Sequence, residues 1–250
     1  MLPVLQIGPL ALPTYPMCLL IAVWAALATS AWAARRLGLE GDHIYNAGFY
    51  GLIAAVVVAR LAHIVAFWPL YRSEPIEIVG LNTRAFIWWP GLLAALLVSG
   101  WYIHRHRLPW ITMADAGAPG ALVGIAIACV GAFLAGRGQG SPTGLPWGVS
   151  LWDVPRHPYQ LYWALAALVA AALVILLLIR QKRPGTAALA ALAACGAIAL
   201  IIEPARANGP TTMGGLRVVQ LLGLAALMVA LLGLRRRAGG GPQPQREAGV

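Results

Sequence analysis

An arginine set among glycines, Gly136-Arg137-Gly138-Gln139-Gly140, is followed through Trp147 and Asp153 by Arg156-His157-Pro158-Tyr159-Gln160-Leu161-Tyr162. A planar guanidinium presents a rigid fork of donors that matches phosphate oxygens. Flanking glycines let a backbone turn sharply or close on a ligand. Arg137 is therefore a candidate clamp for an anionic headgroup, against the plainer alternative of an arginine that snorkels at a helix end. His157 carries an imidazole able to take a proton near neutral pH, or it merely caps the helix beside it. Asp153 serves that histidine or pairs with Arg156. Glu203 and Arg206 stand three apart and can share a helical face before Pro204 distorts the turn. Either they form a local ion pair, or Glu203 orients an arginine from another segment and leaves Arg206 for an anion. Arg137, His157, Glu203 and Arg206 form the candidate catalytic set, with Gln139, Gln160 and Tyr162 as candidate headgroup contacts.

A second polar strip runs through His43, Asn46, Tyr50, Arg60 and His63. On a helix turning about 100° per residue these fall within an arc of roughly 160°. Arg60 lies deep in an apolar run and needs a carboxylate, carbonyls, water or a ligand; pairing with Glu203 and contact with substrate are both open. Asn46, Tyr50 and Arg60 join the candidate headgroup contacts, and His63 reads as an interior histidine with a satisfied ring.

The elements that must position these groups are apolar. Of the 250 residues 60% are hydrophobic and 10% charged, which places the chain in the membrane class. Runs long enough to cross a hydrocarbon core of about 30 Å recur, and they leave little sequence for a soluble unit. Seven spans are expected, over 15–34, 46–68, 86–103, 117–135, 158–179, 186–203 and 214–234. The fold class is an all-α polytopic membrane protein, with 1–238 a single domain and 239–250 a disordered tail rich in Gly, Pro and Gln. Cys18, Cys129 and Cys195 lie inside apolar runs, match no metal or redox spacing, and read as space-filling thiols.

The net charge of +10 belongs to topology. Nucleic-acid binding is not expected, because no soluble module carries a basic face. Alternate connections hold Arg35, Arg36, Arg105, Arg107, Arg180, Lys182, Arg183, Arg235, Arg236, Arg237 and Arg246, eleven basic residues. The other side holds six, at Arg72, Arg84, Arg137, Arg156, Arg206 and Arg217. By the positive-inside rule the N-terminus faces out and the C-terminus faces the cytoplasm. The 69–85, 136–157 and 204–213 segments then share the outer side, with Trp68, Trp88, Trp89, Trp147 and Trp152 near that level, most of them as interfacial anchors.

In its motifs the chain resembles the bacterial prolipoprotein diacylglyceryl transferase family. The resemblance rests on Ile7-Gly8-Pro9, Ala59-Arg60-Leu61, Gly136-Arg137, Pro142-Thr143-Gly144-Leu145-Pro146-Trp147-Gly148-Val149, Arg156 to Tyr162, Glu203 with Arg206, and Met213-Gly214. It implies a seven-span enzyme that moves diacylglyceryl from phosphatidylglycerol to a lipoprotein-precursor cysteine and releases glycerol phosphate. Departures accompany the matches. A histidine followed by two glycines, the usual base candidate, is replaced at the third span by Trp88-Trp89-Pro90-Gly91. Gln139-Gly140 stands for a Gly-Asn pair, and Thr143-Gly144-Leu145 lacks a glutamate. Cys195-Gly196 stands for Tyr-Gly, and Ala199 for an arginine four before Glu203.

The chemistry needs a neutralised leaving phosphate and a thiolate. Arg137, helped by Arg206 or Arg60, supplies the first, and His157 is the nearest substitute base. No metal or other cofactor is implied. The expected partners are an anionic phospholipid, phosphatidylglycerol above all, and a lipoprotein precursor at a bacterial inner membrane. Two alternatives stand beside this reading: a related lipid transferase with another acceptor, and a non-catalytic phospholipid-binding protein. A transporter would show repeat symmetry and interrupted midplane helices, and neither is evident.

Overall fold

A backbone in hydrocarbon must satisfy its own N–H and C=O groups, so the apolar runs become helices. The computed structural model describes residues 4–8, 10–78, 85–151, 154–180, 183–209, 211 and 217–239. An antiparallel hairpin of β1 (Val4–Ile7) and β2 (Leu10–Pro13) leads into α1 (Thr14–Arg36) and α2 (Gly41–Ala66). The short α3 (Trp68–Ser73) and a 3-10 turn at Pro75–Ile78 precede α4 (Trp88–Arg105) and α5 (Trp110–Leu134). A second hairpin, β3 (Val149–Leu151) with β4 (Val154–Arg156), stands before α6 (Tyr159–Arg180). Then come α7 (Thr186–Ile202), a 3-10 turn at Glu203–Ala205, and α8 (Val218–Gly239). Among the described residues six helices are long and apolar enough to cross a membrane: α1, α2, α5, α6, α7 with its 3-10 extension, and α8. The protein is an all-α polytopic membrane protein carrying two small hairpins. The 18-residue α4 lies outside that set of six and runs beside α2.

Small residues bring the helices together, as they must where lipid offers no hydrophobic drive for helix association. α1 lies antiparallel along α5, with Gly131 against Cys18, Gly124 against Ala26 and Gly120 against Ser30. α2 and α4 pair the same way, Gly51 meeting Ser99 and Gly91 meeting Ala59, while Ser99 Oγ donates to the Ala47 carbonyl at 2.8 Å. Ala31, Ala33, Ala34 and Ala116 are fully buried between elements. Large apolar side chains such as Trp24, Val65, Leu97, Leu165 and Leu222 point outward. The three cysteines are free thiols.

Several helix ends differ from expectation. α5 begins at Trp110 instead of 117 and so takes in Asp115, a carboxylate that hydrocarbon disfavours when unpaired. Asp115 is buried, yet its oxygens accept the Gly185 N–H and the Ala188 N–H (2.8 Å). These are orphan donors of the first turn of α7, capped here from another helix. α2 starts at Gly41 rather than 46, and α8 runs from Val218 to Gly239, carrying Arg235, Arg236 and Arg237 on its last turns. The tail at 240–250, together with Arg84, Trp152, Asp153, Lys182, Met213 and Gly214, lies outside the described residues.

Candidate functional site

At the C-terminal end of α5 the chain leaves the helix through Gly136 and Gly138, at φ 66° and 79°. This left-handed conformation suits glycine and turns the chain back over the bundle. The Gly136 and Arg137 N–H groups still donate into the last turn of α5, to Phe133 and Ala132. Gln160, buried in the first turn of α6, then donates from Nε2 to the carbonyls of Arg137 (2.6 Å) and Gly138 (3.1 Å). The Arg137 guanidinium is exposed and lies 4.1 Å from the ring centroid of Tyr15 at the start of α1. A guanidinium stacked on a ring keeps its edge donors for another acceptor.

From Gln139 onward the segment becomes a connecting strip. On one edge Ala207 N–H donates to the Gln139 carbonyl and Ser141 N–H to the Ala205 carbonyl, both at 2.8 Å, so that Arg206 stands opposite Gly140. On the other edge His157 N–H donates to the Ser141 carbonyl at 3.0 Å and Thr143 N–H to the Pro155 carbonyl at 2.9 Å. Arg156 Nη1 reaches the Gly140 carbonyl at 3.1 Å. Gly140 must be glycine here: a Cβ would strike the His157 carbonyl. One short strip of backbone therefore holds the Glu203–Arg206 segment on one side and His157 on the other, three residues beyond Arg137.

Glu203 is almost wholly buried, and its Oε1 lies 3.5 Å from Arg206 Nη1. The local pair is thus the arrangement present. The cross-span partner expected for Glu203 enters by another route: Arg217, just before α8, donates from Nη1 to the Glu203 carbonyl (2.7 Å) and the Arg206 carbonyl (2.5 Å). Arg217 ties α8 to the end of α7 through main-chain oxygens, a role that no side-chain motif announces. The arginine missing at 199 has no space to occupy. Ala199 is 5% exposed, and a Cβ on Gly223 of α8 would lie 2.9 Å from its methyl.

His157 Nδ1 is 3.3 Å from the Tyr162 hydroxyl, and that hydroxyl accepts Trp147 Nε1–H at 2.9 Å. Trp147 thus contributes a hydrogen bond as well as an exposed ring. Tyr162 also caps a groove of about 760 Å³ between α6 and α7, lined by Leu165, Val169, Leu173, Ile198 and Ile201 among others. Ile201 lies two residues before Glu203, so the apolar groove opens directly beneath the polar junction.

Other expected contacts lie elsewhere. Arg60 is at the same end of the bundle, but its guanidinium is occupied by the carbonyls of Glu77 (2.6 Å), Ala85 (3.1 Å) and Ile78 (3.4 Å), between the rings of Tyr71 and Phe86. It pins the α3–α4 connection and does not pair with Glu203. His63 Nδ1 lies 3.0 Å from the Tyr71 hydroxyl, the satisfied interior histidine the sequence suggested. Asn46 and Tyr50 belong to the opposite end, since α1 carries the chain away from Arg137 before α2 begins. There Asn46 Nδ2 donates to the Tyr102 hydroxyl at 3.2 Å, His43 lies 3.1 Å from the same oxygen, and Tyr50 and His106 flank the Tyr102 ring. Helical periodicity put Asn46 and Tyr50 on one flank with Arg60, and the length of α2 separates them. Trp88 and Trp89, where the family histidine is expected, are exposed rings at the start of α4. The Gln139 side chain is half-exposed beside Arg137.

Comparison with known proteins places this architecture. The family model described as prolipoprotein diacylglyceryl transferase matches residues 3–235. A phosphatidylglycerol–prolipoprotein diacylglyceryl transferase of Solidesulfovibrio magneticus is 30% identical over 249 residues, covering 93% of this chain and 93% of the relative. Proteins of the same name from Gloeobacter violaceus and Trichormus variabilis are 28% and 26% identical, covering 92% of this chain and 90% and 86% of their own lengths. With a match that runs through nearly every helix and through the Arg137, His157 and Glu203 segments alike, the chain belongs to the prolipoprotein diacylglyceryl transferase family.

Proposed function

We propose that this chain transfers diacylglyceryl from phosphatidylglycerol to the cysteine thiol of a lipoprotein precursor, at the outer face of a bacterial inner membrane. The observation that carries the reading, within this family, is the shared backbone strip. It ties the Arg206 and His157 segments together just beyond Arg137, and Tyr162, beside the His157 ring, lines an apolar groove. An acyl chain lies in the α6–α7 groove and the phosphate meets Arg137 and Arg206, with Glu203 orienting Arg206. His157, steadied by Tyr162, takes the thiol proton. The thiolate forms a C–S bond at the glyceryl carbon as the bond from that carbon to the phosphate oxygen breaks. Glycerol phosphate leaves with the electron pair, and the guanidinium groups hold its charge. Burial of lipid and acceptor at one site supplies the orientation term.

The arginine asymmetry supports seven crossings with the N-terminus outside, α4 being one of them, which puts the junction at the outer leaflet. Gln139, Gln160 and Tyr162 serve the headgroup end by shaping the Arg137 turn and the groove mouth. Arg60 acts on the same end from a distance by holding its connecting loop.

Expression in cells depleted of their own transferase tests this. Restored lipoprotein modification, lost with Arg137→Ala at equal protein level, supports transfer. Failure of the wild-type chain to restore modification, with phosphatidylglycerol still bound by the purified protein, favours the non-catalytic lipid-binding reading.

A further inference from the structure

A second cleft lies at the end of the bundle opposite Arg137, between α7 and α8. Its volume is about 570 Å³, and it is lined by Leu189, Val229, Leu232 and Gly233, with Arg236 and Arg237 at its rim. We propose that this cleft binds one anionic phospholipid from the adjacent leaflet, an acyl chain against Val229 and Leu232 and the phosphate on Arg236 and Arg237. None of these residues takes part in the transfer described above.

Three observations converge on it. Gly233 packs against Leu189, where a Cβ would lie 2.9 Å from the leucine methyls, so the helices meet there and an apolar hollow remains beside the contact. The guanidinium groups are then concentrated at one spot. Arg183 Nη1 donates to the Arg237 carbonyl at 2.8 Å, and the Arg237 guanidinium lies over Gly185 at the start of α7. Finally, no carboxylate forms an ion pair with Arg183, Arg236 or Arg237 among the described residues. The buried carboxylate nearby, Asp115, is taken up by the Gly185 and Ala188 amides.

Arginines at the edge of hydrocarbon require a counter-charge, and juxtamembrane basic groups draw it from anionic lipid. A water-soluble anion would satisfy the arginines and leave the apolar walls empty. A zwitterionic lipid would fill the walls and bring a cation toward the rim. An anionic phospholipid satisfies both parts.

Native mass spectrometry of the full chain in the Arg137→Ala background reads this site with the outer headgroup clamp removed. The expected result is one retained phosphatidylglycerol per chain, held more tightly than phosphatidylcholine of the same acyl composition. Affinity should fall about tenfold in Arg236→Gln/Arg237→Gln and less in Arg236→Lys/Arg237→Lys. Val229→Trp, which fills the cleft and keeps every charge, should displace the lipid too, and it carries the test if the glutamine pair folds poorly. Millimolar glycerol phosphate should leave the lipid in place. Equal retention of both lipids, retention unchanged by the glutamine pair and the tryptophan, or displacement by soluble glycerol phosphate would each overturn the proposal. The arginines would then be topological signals or a simple anion site.

Discussion

Arg137 presents a stacked guanidinium fork at a glycine turn, and its geometry, more than its charge, sets what it does. Arg137→Lys retains the cation and loses both the planar stack on Tyr15 and the paired donors. We expect transfer activity to fall roughly 100-fold, the size of effect seen when one preorganised donor to a developing anion is removed, with the melting temperature unchanged. Gln160→Leu acts one step behind it. The two carbonyls of the Arg137–Gly138 turn lose their donor, and thermal unfolding should report a loss of about 1–3 kcal/mol. Restoring an amide at the same position in the same assay should recover the stability. Residue types alone pointed to Arg137, His157 and Glu203, because polar groups beside long apolar runs need a reason to be there. They could not give Arg60 its partners, which are carbonyls 17 to 25 positions away in a connection without periodicity. Arg217 counts in the sequence only as one of the six arginines of the outer side, and its bonds to main-chain oxygens leave no side-chain signature.

Among elements, the strip from Gln139 to Thr143 is the part on which the site depends most. Gly140→Ala drives a methyl into the His157 carbonyl and pushes the two edges apart. Activity should be lost, with helical content by circular dichroism retained, because no long helix uses that contact. Ala199→Arg would install the arginine expected of the family one turn before Glu203. The α7–α8 contact at Gly223 has no room for it, so we expect a lower yield of folded protein and no gain in activity. Recovery of a well-folded, more active enzyme would contradict the packing described here. The long helices were legible from apolar runs and charge flanks to within a few residues in most cases. The strip was not, since its partners lie at 154–157 and 205–207 and no local pattern records a pairing between loops. The start of α5 at Trp110, before the expected 117, has a related cause: the partners of Asp115 belong to α7.

Across the whole molecule the family match, the helical bundle and the polar junction at one end make a single account of a lipid-modifying membrane enzyme. The same bundle carries a basic, apolar-walled cleft at its other end. The overall architecture followed from composition, whereas the Tyr102 partner of Asn46 and Tyr50 came only with the packing of α2 against α4. The central claim is that the Arg137 junction performs transfer without a histidine at the start of α4. Purified protein supplied with phosphatidylglycerol and a cysteine-containing lipoprotein-precursor peptide, followed by mass spectrometry of the peptide, tests it directly. The account predicts a diacylglyceryl thioether from the wild-type chain, and none from Arg137→Ala or His157→Gln. Absence of that product from a folded, lipid-binding wild-type chain, beside a working control enzyme, would contradict it.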